Sequence, residues 1–199
     1  TGRDEENLLM GLALDPEWVS EMAEVYSDLI IHLWETLFAA EGKPDGIWFY
    51  EDMGFKGRPF MSPEMYRELI MPAHRKTIDF AHSLGLPVVM HSCGFVEPLL
   101  PYMVEAGIDC LQAMEVKAGM DLLRIYRDFG EKIALMGGLD VRPVANNDLP
   151  GIRRELETRI PVVKGRNGFI LHSDHSIPES AEYESYRYFL ETGLELGRY

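Results

Sequence analysis

Cysteine is scarce in this chain: Cys93 and Cys110 are the two among 199 residues. That is too few for a disulfide-dense secreted scaffold, and no signal-peptide pattern opens the sequence, so a reducing, cytoplasmic setting is expected. No apolar run approaches the ~18 residues of a membrane span, which predicts that the chain does not insert in a bilayer. Basic residues are in deficit, with 19 Lys and Arg against 33 Asp and Glu, a formal net charge of −14. Such a surface repels nucleic-acid phosphates and anionic lipid alike, so neither is an expected partner. Low-complexity stretches and linkers are missing too, and a single domain over residues 1–199 is the simplest reading. What is present is ordinary globular material: 46% hydrophobic and 26% charged residues, which excludes a disordered chain, a collagen or a coiled coil.

The order of elements is regular. Asp15 is a good N-cap and Pro16 a good first helical residue, and Trp18, Met22, Val25, Leu29 and Leu33 follow at helical spacing, so a helix is predicted over 15–40. After the turn cluster Gly42 to Gly46 comes Ile47-Trp48-Phe49-Tyr50, which reads as a short buried strand. The alternation then repeats. Helices are predicted from Ser62 towards Leu84 (interrupted at Pro72), over 98–106, 120–129, 149–163 and 181–196. Strands are predicted over 88–90, 108–111, 133–136 and 169–171, with helix breakers around Gly165–Gly168. Alternating short strands and helices imply a parallel sheet covered by helices. Two architectures fit, an open doubly wound sheet and a (β/α)8 barrel. Strand starts are about 30 residues apart, so eight units would need roughly 250 residues. This chain accommodates about five. No Gly-x-Gly-x-x-Gly follows the first strand, which weakens a dinucleotide-binding reading.

Reactive side chains gather just after each apolar run: Glu51 and Asp52, His91 and Cys93, Gln112 and Glu115, Asp140 after Gly137-Gly138, and His172, Asp174 and His175. In a parallel βα protein these positions lie at the carboxyl ends of the strands, where ligands bind in both architectures. The plainer alternative is that polar residues merely resume at strand ends. The opposite turns, however, are mostly Gly, Pro, Lys and Asp, without His or Cys. In His91-Ser92-Cys93, side chains at i and i+2 of extended backbone point the same way, so an imidazole and a thiolate can reach one Zn²⁺. Glu115 and His175, from later strand ends, are candidate further ligands. The alternative is that His91 and His175 only hydrogen-bond there. Of the adjacent Glu51 and Asp52 only one can face a pocket, and Asp52 is preferred. Cys110, inside an apolar run, reads as a buried inert thiol, and His32, His74 and His82 as packed or solvated helix residues. Lys117, Arg58 and Arg142 follow strands and offer charge to an anionic substrate or to solvent.

Several segments, in their order and spacing, resemble the uroporphyrinogen decarboxylase superfamily. They are Asp52-Met53-Gly54 followed by Met61-Ser62-Pro63-Glu64-Met65-Tyr66, then Val89-Met90-His91-Ser92-Cys93-Gly94 and Gly107-Ile108-Asp109. Ala134-Leu135-Met136-Gly137-Gly138-Leu139-Asp140 and Ser173-Asp174-His175-Ser176-Ile177-Pro178 complete the set. The resemblance implies a (β/α)8 TIM-barrel fold, present here as a C-terminal part of about five βα units with the first strands missing.

The superfamily holds two chemistries. Decarboxylases act on uroporphyrinogen III in porphyrin biosynthesis without metal or cofactor; zinc-dependent methyltransferases move methyl groups between corrinoids or folates and thiols. The resemblance implies His91 and Cys93 as zinc ligands, Glu115 as a further ligand, and His175 where the methyltransferases usually carry Cys. A His at that place also occurs in decarboxylases, so it does not discriminate. The favoured expectation is methyl transfer to a thiol, with zinc at His91, Cys93 and His175 or Glu115, and with a corrinoid methyl donor and a corrinoid protein as partner. Asp52, Glu115 and His175 are the expected catalytic side chains. The alternatives are a lyase, with a tetrapyrrole substrate contacted by an Asp and His175, and a non-catalytic tetrapyrrole- or corrinoid-binding module or fragment. Strand edges and barrel core left uncovered by a partial barrel make a homo-oligomer a further expectation.

Overall fold

The structure is a computed structural model that describes residues 2–165 and 168–198. The predicted breaker segment therefore falls partly on Arg166 and Asn167, outside the described residues. In chain order the elements are helices α1 (Gly2–Leu14) and α2 (Pro16–Glu41), strand β1 (Ile47–Tyr50), and the small strands β2 (Gly54–Phe55) and β3 (Arg58–Pro59). Helices α3 (Pro63–Met65) and α4 (Met71–Ser83), β4 (Val88–Ser92), α5 (Leu100–Ala106), β5 (Cys110–Ala113) and α6 (Leu122–Phe129) follow. The chain continues with β6 (Ala134–Gly137), α7 (Arg142–Ala145), α8 (Leu149–Val163), β7 (Phe169–Ile170) and α9 (Tyr183–Gly197). A five-stranded parallel sheet has the order β1-β4-β5-β6-β7, as expected of part of a (β/α)8 barrel. Its register pairs Cys110 to Ala113 of β5 with Ala134 to Gly137 of β6, and Leu135 and Met136 of β6 with Phe169 and Ile170 of β7.

Two compact units divide these residues. The first comprises 1–49, 59–90 and 98–109, and the second 50–58, 91–97 and 110–199. In the first, Tyr66, Ile78, Met90, Leu99, Leu100 and Met103 are fully buried. The Asp109 carboxylate ties the end of α4 to the start of β4, accepting from the Val88 amide at 2.7 Å and meeting His82 Nε2 at 2.8 Å. In the second, Leu111, Leu122, Ile125, Leu135, Leu139 and Leu156 form the buried core. Each such side chain contributes about 1.5–3 kcal/mol relative to exposure.

Differences from the sequence reading have local causes. The long helix after Ser62 passes through a π-type turn at Tyr66–Ile70 before α4, so the interruption precedes Pro72. Pro72 itself lies in the first turn of α4, where its missing N–H leaves nothing unpaired. The third main strand starts at Cys110 rather than 108, because Gly107 adopts φ 106° and the Ile108 amide turns back to the Met103 carbonyl. Helix α6 begins at Leu122, where the Asp121 carboxylate caps the Arg124 amide at 2.8 Å. On α2 the spacing found the helix, yet Trp18, Met22, Val25, Leu29 and Leu33 are all exposed. Periodicity reports a stripe on a helix but not what covers it. Likewise β1, which reads as fully buried, buries Ile47 and Phe49 while the alternate side chains Trp48 and Tyr50 are exposed, so one of its faces lacks a cover. Helix α1, the β2–β3 pair and α7 carry weak periodicity and are not evident in the sequence.

Candidate functional site

Every sequence-predicted site residue lies in the second unit. The segments that follow β1 and β4 are laced together. The Glu51 amide donates to the His91 carbonyl at 3.0 Å, Met53 N–H to Ser92 Oγ at 3.0 Å, and Phe95 N–H to the Phe55 carbonyl at 2.9 Å. Close approach is possible because Gly94, at φ 77°, lies directly against Gly54. Asp52 Oδ1 accepts the Cys93 amide at 2.9 Å and lies 3.2 Å from His91 Nε2. Cys93 Sγ is 3.4 Å from the same nitrogen. The imidazole is buried, hydrogen-bonds through Nδ1 to Gln112 Oε1, and is stacked by Tyr50 at 4.0 Å between ring centroids.

One imidazole nitrogen, one sulfur and one carboxylate oxygen thus all lie within 4.8 Å of one another. Their chemistry and spacing fit a tetrahedral cation. Zn–N near 2.0 Å and Zn–S near 2.3 Å put donor atoms about 3.5 Å apart across a tetrahedral angle, against the 3.4 Å observed between nitrogen and sulfur. Glu115 lies outside this group. Its Oε2 accepts the Gly94 amide at 2.9 Å and its other oxygen faces Lys117 at 3.5 Å. His175 also lies outside it, exposed, with Nδ1 accepting the Ser176 amide at 2.9 Å. Beside Cys93 opens a cavity of about 310 Å³ lined among others by Phe55, Lys56, Gly94, Glu115 and Lys117. A larger one, about 610 Å³, runs between β7 and α9. Among the described residues no Cys, His or carboxylate lines it, and its Lys164 ammonium is held by the Leu196 and Arg198 carbonyls, so the smaller cavity is the one next to the chemistry.

Burial, with the negative charges of Asp52 and Glu115 and a hydrogen bond to Asp52, pushes the Cys93 thiol up to about 11. Without a cation the sulfur is therefore protonated at neutral pH, and thiolate appears only as pH climbs towards that value. Iodoacetamide labelling of metal-free protein is expected to be slow at pH 8 and to rise about tenfold per pH unit up to pH 10. Asp52→Asn should speed labelling at pH 8 severalfold. An unchanged rate would show that Asp52 does not act on the thiol.

Asp174 was visible in the sequence as a polar residue after the last strand, but not its task. Almost wholly buried, its carboxylate accepts the Val116 and Val141 amides, each at 2.8 Å, and so joins the loops after β5 and β6. Burial raises its pKa, outweighing the two amides that act in the opposite sense. Between the ordinary carboxyl value and the raised one the folded state holds the extra proton. That contribution is complete below the ordinary value and is lost as pH rises through the folded one. Asp174→Asn cannot titrate. In urea titrations the stability of the wild type minus that of the variant should shrink as pH rises from about 4. Growth of the difference would contradict the assignment. Lys56 and the β2–β3 turn were missed altogether; the signal available was Gly57, which holds φ 77° in the two-residue turn.

A family model described as uroporphyrinogen decarboxylase (URO-D) matches residues 1–195. The chain belongs to the URO-D family. Among curated proteins, a methylated-thiol–coenzyme M methyltransferase of Methanosarcina mazei is 29% identical over 148 residues, 73% of this chain and 36% of the relative. Among solved structures, a methyltransferase from Methanosarcina mazei superposes with a TM-score of 0.66 at 17% identity, over 97% of this chain and 54% of that one. This URO-D chain thus spans about a third of the length of the curated relative and about half of the solved one. At that identity the structural likeness establishes the fold, a parallel sheet of the (β/α)8 class. The family has methyltransferase members similar to this chain. No described helix is long and apolar enough to cross a membrane.

Proposed function

We propose that this URO-D domain serves zinc-dependent transfer of a methyl group from a corrinoid-type carrier to the sulfur of a small thiol. The observation that carries the reading is the donor set: His91 Nε2, Cys93 Sγ and Asp52 Oδ1 at separations suited to a tetrahedral ion. Zinc bound there would lower the pKa of a substrate thiol so that sulfur is nucleophilic at neutral pH. His91 and Cys93 would hold it, with Asp52 as third ligand. Glu115 is proposed as the exchangeable fourth ligand that yields to the substrate, since its loop already meets Gly94. His175, exposed on its own loop, is proposed to act towards substrate rather than metal.

The cavity beside Cys93 suits a small molecule, and Lys56 and Lys117 among its lining residues, the latter paired with Glu115, favour a thiol with an anionic tail. The methylated-thiol relative supports methyl transfer, and a corrinoid protein docking over the strand ends is proposed as the partner that delivers the methyl group. The match of one family model over 1–195 supports a single domain, and self-association and a cytoplasmic setting remain part of the proposal.

The test is metal analysis of the purified chain together with thiol methylation from methylcobalamin. About one zinc per chain, lost with His91→Ala and Cys93→Ala along with methylation, supports the reading. Metal-free protein that binds uroporphyrinogen tightly refutes it in favour of the decarboxylase.

A further inference from the structure

Resting on that metal reading, we infer that Gln112 is the positioning residue of the site: its side-chain carbonyl fixes the His91 tautomer and so aims Nε2 at the metal position. Both side chains are buried, so neither exchanges this bond freely with water. Gln112 Oε1 is the amide atom that meets His91 Nδ1 and has no proton to give, so the ring proton is assigned to Nδ1. Nε2 is then left with its lone pair towards Cys93 Sγ, against the pull of Asp52 Oδ1, an acceptor 3.2 Å away that would otherwise draw the proton to Nε2. That is the only neutral tautomer able to ligate a metal through Nε2. Gln112 is the penultimate residue of β5, and its side-chain carbonyl meets Nδ1 while the ligand cluster meets Nε2. Tyr50 stacked on the ring face holds its plane, so plane and proton are set by different residues.

Without Gln112 the ring proton is free to move to Nε2. Binding must then first relocate the proton, and a buried Nδ1 loses its partner. Removal of such partners lowers metal affinity by about 10–100-fold.

The variants are Gln112→Leu, which removes the acceptor at similar size, and Gln112→Glu, which restores an acceptor oxygen. Two readouts apply. In metal-free protein at pH 8, long-range ¹H–¹⁵N spectra of His91 should show the proton on Nδ1 and none on Nε2 in the wild type and in Gln112→Glu. Gln112→Leu should shift towards the Nε2-protonated form. In chelator competition, Gln112→Leu should bind zinc about 10–100-fold more weakly, and Gln112→Glu within about threefold of the wild type. An Nε2 proton in the wild type, or Gln112→Leu with unchanged affinity, overturns the inference. A wild type that shows the Nδ1 tautomer yet takes up no zinc overturns the metal reading while leaving the role of Gln112 towards His91 standing.

Discussion

Replacing Cys93 by Ala is expected to take the proposed zinc content of the chain from about one equivalent to a small fraction of that, with little loss of stability when both proteins are compared metal-free. The thiol is part-exposed, so its removal leaves no sealed core cavity. The thiol's contacts with His91 and Asp52 are lost, but the Cys93 amide still donates to Asp52, and that bond survives the substitution. What is removed is the soft donor of the set: His91 Nε2 and Asp52 Oδ1, 3.2 Å apart, are left with the exchangeable Glu115 alone, a set without thiolate that holds zinc far more weakly. His91→Ala should be equally severe for the metal but less clean for the fold. Deleting a buried imidazole strands the Gln112 carbonyl and removes the ring that Tyr50 covers, a cost of about 1–3 kcal/mol for the unpaired polar group alone. Metal analysis with urea titration separates the two effects. Retention of zinc by Cys93→Ala would remove the sulfur from the site.

Gly94→Ala is expected to disrupt the site through the backbone. A Cβ on Gly94 would stand 2.2 Å from the Gly54 carbonyl carbon and 2.3 Å from its oxygen, both main-chain atoms that no rotamer change can move aside. The residue also holds φ 77°, a conformation costly for any side chain. Gly57 is the control: φ is again 77°, but nothing lies within 4 Å of its Cβ position. Gly57→Ala should therefore show backbone strain alone, about 1 kcal/mol, whereas Gly94→Ala adds overpacking, for a total of about 2–4 kcal/mol. Because Cys93 and the Gly94 amide that holds Glu115 are neighbours in this turn, the same substitution should weaken zinc binding. Equal stability losses in the two variants would show that the Gly54–Gly94 contact is not tight in solution.

The sequence carried a good part of the site because the chemistry is local to strand ends. His91 and Cys93 are two residues apart, and two residues of extended backbone suffice to bring their donor atoms together. Alternation allows only one of Glu51 and Asp52 to face a pocket; Asp52 is the one preferred, and its carboxylate meets both the Cys93 amide and the imidazole. Convergence across loops was not legible in this way. Glu115 and His175 share the same strand-end grammar, yet Glu115 turns to the Gly94 amide and His175 to its own loop. Spacing cannot say which of several strand-end loops folds inward, since that depends on hydrogen bonds made by residues far apart in the chain.

Local patterns alone determined the alternation of helices and short strands, the parallel sheet that follows from it, and the face on which reactive side chains gather. Helix caps, breakers and short-range hydrophobic spacing act within a few residues, so they are written in the chain itself. Tertiary structure alone decided that the apolar stripe of α2 is exposed, that Gln112 faces His91 and that Gly54 admits Gly94. Each of these is an encounter between segments some 20 to 40 residues apart or the lack of one, governed by shape and by which buried polar atoms find partners, and no window of neighbouring residues encodes it.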